Sequence, residues 1–86
     1  MNIYVIYDSH GKVWDRVYAS FESALTIVSI SVSDENRRWN AVDNADKHDN
    51  PAYMEYDFTK TDDQGGVLVA FSEIAKTSTY IKQVIL

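Results

Sequence analysis

His10 and His48 are the side chains in this sequence that ordinarily titrate near neutral pH. His10 stands beside Ser9 and Asp8, which are the residue types of a nucleophilic triad. A triad is assembled in space from separate elements, because nucleophile, base and orienting carboxylate must fall in line. Consecutive residues do not reach that arrangement, and Asp8-Ser9-His10-Gly11 reads as a turn, with Gly11 free to take positive φ. His48 stands in the run Asp43-Asn44-Ala45-Asp46-Lys47-His48-Asp49. Its carboxylates at Asp43, Asp46 and Asp49 would follow one another at about one helical turn. The run lacks the glycine and terminal glutamate of a calcium loop, and no second histidine stands at zinc spacing. A solvated helix face is the simpler reading. Gly65-Gly66 has no following Lys-Ser/Thr and runs into a strand, so it is a turn rather than a phosphate cradle. Glu55 and Asp57 would lie on one strand face about 7 Å apart, a spacing at which paired carboxylates do acid–base work. No pocket-forming loops surround them. The sequence predicts neither an enzyme nor a metal or cofactor site.

The charge distribution is more informative. The net charge is −5, which argues against direct nucleic-acid binding, since phosphate contacts need clustered Lys and Arg. Between Asp34 and Asp63 nine acids (Asp34, Glu35, Asp43, Asp46, Asp49, Glu55, Asp57, Asp62 and Asp63) stand against four bases (Arg37, Arg38, Lys47 and Lys60). Outside that segment acids and bases balance, so the whole negative excess lies in the middle of the chain. Aromatic residues make up 13% of the sequence, six of them tyrosines. Most such rings serve the core of a small domain. Tyr53, on the polar face of its strand with Glu55 and Asp57, has no evident core role and belongs with the carboxylates of an interaction surface.

The elements that must position these groups follow from the hydropathy pattern. Eighty-six residues, 45% hydrophobic and 24% charged, specify a single domain spanning 1–86 with one modest core. There is no cysteine, so neither a disulfide nor a thiolate enters. No run approaches the roughly 18 apolar residues of a membrane span, and a cytoplasmic protein is expected. Asn2 to Tyr7 is apolar on both faces, as in a central strand, and Val13 to Ala19 returns from it as a hairpin. Ser20 is an N-cap, and Phe21, Ala24, Leu25 and Val28 follow helical spacing, predicting a helix from Phe21 to about Ile30. Ser33, Asp34 and Glu35 form a second helix-start signal, for a short amphipathic helix or irregular turns ended by Asn50-Pro51. Tyr53 to Phe58 alternates as a strand, with Met54, Tyr56 and Phe58 inward. Val67 to Phe71 and Thr79 to Ile85 complete five strands. The expected architecture is α+β: a two-layer domain in the order β-β-α-β-β-β, an antiparallel sheet with one main helix on a face.

These readings converge on a small acidic protein–protein interaction module that docks on a basic protein surface, such as that of a nuclease or another nucleic-acid-binding protein. Carboxylates imitate phosphate charge, speed encounter and compete for the same Lys and Arg. The expected contact residues are Asp34, Glu35, Asp43, Asp46, Asp49, Tyr53, Glu55, Asp57, Asp62 and Asp63. In size and composition the chain resembles the small inhibitors encoded by phages and mobile elements, including anti-CRISPR and antirestriction proteins, which implies an inhibitory role. A toxin-neutralising immunity protein has the same profile. A structural subunit is the alternative of a different class, with homodimer pairing through an edge strand supported by the apolar end Val84-Ile85-Leu86.

Overall fold

The computed structural model describes residues 1–41 and 50–86. The strands are β1 (Asn2–Asp8), β2 (Val13–Tyr18), β3 (Ala52–Thr61), β4 (Val67–Ser72) and β5 (Thr77–Ile85), with one helix, α1 (Phe21–Ala41), between β2 and β3. They build a five-stranded antiparallel sheet in the order β2-β1-β5-β4-β3. This is the α+β two-layer arrangement and element order that the hydropathy pattern predicts. The ends of the chain meet in the middle of the sheet, where Asn2 pairs with Ile85 and Asp8 with Thr79. β1 and β4, both apolar on two faces, occupy interior positions, and β2 and β3 are the edges.

The helix corrects the sequence reading. It does not stop near Ile30, and Ser33 starts no second helix; α1 runs unbroken for 21 residues to Ala41. Ser20 does cap it, its Oγ accepting from the Ser23 amide at 3.1 Å. No glycine or proline falls between Phe21 and Ala41 to end it. The topology also requires length. The chain must travel from one edge of the sheet to the other, across four interstrand gaps of about 4.8 Å, roughly 19 Å in all. Ten helical residues would span only about 15 Å.

Ala24 and Val28 of α1 meet Ile6 of β1, Val69 and Ala70 of β4 and Ile81 of β5 in the buried core. Phe21, Leu25, Ile27 and Val32 widen the helical stripe. At the far edge Asn36 substitutes for a neighbouring strand. Its Nδ2 donates to the Ala52 carbonyl at 2.8 Å, and the Ala52 amide donates to its Oδ1 at 2.9 Å. Met54 of β3 packs on the core, whereas Tyr56 and Phe58 are 55% and 65% exposed. Phe58 still meets the helix, its ring centroid 5.7 Å from that of Phe21, and register shifts interrupt the pairing with β4 between Met54 and Asp57 and again before Thr61.

The β1–β2 and β3–β4 turns share one construction. Asp8 Oδ1 accepts from the His10 and Lys12 amides, and Asp62 Oδ1 from those of Gln64 and Gly66. In each, the glycine three residues on, Gly11 or Gly65, has a φ of 86°. This is a hairpin turn closed by a left-handed residue, with the aspartate fixing the amides. The Asp8-Ser9-His10 run is therefore a turn, as its composition predicts.

Candidate functional site

Antiparallel partners project their side chains to the same side of a sheet, so register assigns each strand residue to a face. Tyr4 opposite Tyr18, and Ile6 opposite Ile81, look toward α1. On the other face Val5 lies opposite Val17 and Lys82, Tyr7 opposite Val13 and Tyr80, and Ile3 opposite Val84. Tyr80 continues to Leu68, and Leu68 to Asp57. Phe71 and Tyr53 extend this face to the β3 edge, their rings 5.9 Å apart. No helix covers it among the described residues. Val13 and Val17 are 59% and 55% exposed and Tyr53 38%, giving an apolar and aromatic surface that reaches both edge strands.

One ring on this face is buried. Tyr7 is only 4% exposed, because the β3–β4 turn folds over it. Its Oη donates to Asp62 Oδ1 at 2.6 Å, and its ring stacks on Tyr80 with centroids 5.5 Å apart. Gly66 is pressed so close that an added Cβ would stand 2.0 Å from the Tyr7 hydroxyl oxygen and 2.6 Å from its Cζ. Burial, then the hydrogen bond to Asp62, pushes the Tyr7 phenol well above its ordinary range. Burial works against the charged Asp62 carboxylate, but the bonds it accepts from Tyr7 and the turn amides outweigh this and hold its pKa below the usual value.

The acids expected at a partner surface are divided by this geometry. Asp34, on the helix, is paired with Arg37. Glu35 turns inward and accepts from Ser72 Oγ between helix and sheet. Asp57 accepts from the hydroxyl and amide of Thr59, and these bonds, aided by Lys60, lower its pKa. Asp62 is engaged in its turn, and Asp63 beside it is exposed. Glu55 is half-buried in the irregular part of β3. Asp62 and Asp63 follow the far end of β3, on the order of 30 Å along the strand from its start beside Asn36 and Glu35. Tyr53, Asp57 and the Asp62 turn belong to the helix-free side; Asp34 and Glu35 do not. Asp43, Asp46, Asp49 and His48 lie outside the described residues. Sequence reasoning did not find Val13, Val17, Leu68 and Tyr80 as surface. Their signal was that neighbouring strands are apolar on both faces while the chain supplies a single main helix to cover one.

A cleft of about 460 Å³ opens on the opposite side, under the second half of α1. Val28, Ser31, Val32 and Glu35 form its roof, and Trp14, Ala70, Ser72, Thr77 and Thr79 line the sheet side. Among the described residues no group of three or more His, Cys, Asp or Glu could hold a metal ion. No helix among them is long and apolar enough to cross a membrane. Comparison with protein-family models, with curated proteins and with solved structures returns no match.

Proposed function

We propose that this protein is a protein-binding module that docks the helix-free face of its sheet on a partner with a basic surface. The observation that supports the reading is the apolar face itself, carrying Ile3, Val5, Val17, Leu68 and Phe71 on three strands with no covering layer among the described residues. Exposed contiguous apolar surface of this kind marks interaction sites. Tyr53 and Tyr80 add amphipathic rings of the sort that anchor interfaces. Asp57 and Asp63 bring carboxylates to this side or its rim, against Lys82 and the Lys60 that pairs with Asp57. The net charge of −5 favours a cationic partner and speeds the encounter. A nucleic-acid-handling protein has such a surface, and covering it would inhibit that protein.

The test is affinity capture from the source lysate with the wild type and with the double variant Val17→Lys/Tyr53→Lys. Both substitutions are on exposed positions of this face. The expected result is a partner captured by the wild type, lost with the double variant and weakened as salt rises toward 0.5 M on the order of the screening expected for exposed charges. Ile30→Lys, on the exposed side of α1, serves as control and leaves capture intact. Equal capture by the wild type and the double variant overturns the reading.

A further inference from the structure

We infer that the cleft beneath the C-terminal half of α1 is a binding site for a small organic cation, an amine or guanidinium carried on a flat or aliphatic body. The cleft arises from side-chain size. Where α1 crosses the other end of the sheet, Ile6, Val69 and Ile81 fill the space beneath it. Toward Glu35 the floor is Ala52, Ala70, Ser72, Thr77 and Thr79, and these leave about 460 Å³ open. That volume lies in the range of small-molecule sites, which combine apolar walls with a few converging polar groups.

The polar groups define the ligand. Glu35 projects from the helix, with Ser72 Oγ donating to its Oε2. Neither ion pair among the described residues, Arg37–Asp34 or Lys60–Asp57, involves this carboxylate. Asp15 and Asp8 line the β1–β2 side, against a single cation, Lys12. Asp8 is already committed to the amides of its turn, so Glu35 and Asp15 are the carboxylates left to meet a ligand. The hydroxyls of Ser31, Thr77 and Thr79 supply further acceptors for N–H donors. Trp14, half-buried against the core, presents the aromatic surface on which a cation or its apolar body rests. An anion would meet an excess of like charge here. The site is separate from the helix-free face proposed above, so either can fail without the other.

The probes are phenethylamine, its neutral counterpart 2-phenylethanol and the anion 3-phenylpropionate, each titrated into the whole protein and followed by amide and indole NMR shifts. The expected result is saturable millimolar binding of the amine, with shifts at Ser31, Glu35, Ser72 and Thr77 and at the Trp14 indole, while the alcohol and the carboxylate bind more weakly. Glu35→Gln keeps an acceptor for Ser72 and removes the charge; it should weaken the amine about tenfold, the scale of one charge-assisted bond. Ser31→Leu fills the cleft from the helix side and should abolish the shifts, with the far-ultraviolet spectrum unchanged. Shifts scattered over the surface overturn the assignment, as do equal binding of all three probes or full amine affinity in Glu35→Gln.

Discussion

Tyr7 concentrates more of the local physics than any other residue. A tyrosine at an interior strand position would be half-exposed on an open sheet face; here a turn from the opposite hairpin closes over it and supplies both a carboxylate and a glycine. Gly66→Ala should lose about 1–3 kcal/mol by overpacking, since the ring is held by Tyr80 behind and Asp62 above and has little room to retreat; equilibrium urea unfolding measures it. The Tyr7–Asp62 bond also sets a pH dependence. The Asp62 pKa is depressed in the folded state, so its contribution is present above about pH 4 and is lost as pH falls through the folded value. The Tyr7 pKa is raised, so its contribution is whole below about pH 10 and is lost as pH rises through the elevated folded value. Tyr7→Phe should cost about 1 kcal/mol at pH 7. Unfolding titrations should show the gap from wild type narrowing both at pH 3 and above pH 11, by the linkage of about one titrating group at each end.

At the scale of elements, α1 is the strut that ties one sheet edge to the other, and Asn36 is its fastening. The two hydrogen bonds between Asn36 and the Ala52 backbone hold the first residue of an edge strand that has β4 on one side only. Asn36→Ala would leave a buried amide and carbonyl without those partners, and should cost about 1–3 kcal/mol. Hydrogen exchange should show the Ala52 amide losing protection before the centre of the sheet does. Ser20→Ala removes the other fastening, the N-cap at the start of α1, and should cost about 1 kcal/mol by thermal or urea unfolding.

For the molecule as a whole, the core is small and lopsided. Ile6, Val28, Val69 and Ile81 are its largest fully buried side chains, all on the helix side of the sheet. Ile81→Ala should therefore cost about 2–5 kcal/mol, a large share of the 5–15 kcal/mol or so that a domain commands, and circular dichroism melts will register it. The helix-free face behaves oppositely. Val17→Lys and Tyr53→Lys remove little buried contact, and each should change stability by no more than about 0.5 kcal/mol. A large loss from either would mean that this face supports folding rather than docking.

Local chemistry made much of the architecture legible. Apolar strands, Asp-x-x-Gly turns and the Ser20 cap each act over a few neighbouring residues, so their composition fixed the element order and the two-layer class. Side-chain contact across the sheet was beyond that reach. The length of α1 followed from the distance between β2 and β3, a consequence of strand order that no local signal carries, and how little of Tyr56 and Phe58 is covered depended on how far α1 reaches over β3. Acids adjacent in sequence were parted for the same reason: α1 and β3 present them to different sides, and Glu35, Asp57 and Asp62 each accept hydrogen bonds within the fold. The sequence by itself determined which elements form and that negative charge gathers mid-chain. Only the tertiary structure decided which sheet face α1 covers and where a cleft remains, because both depend on side chains that meet through space.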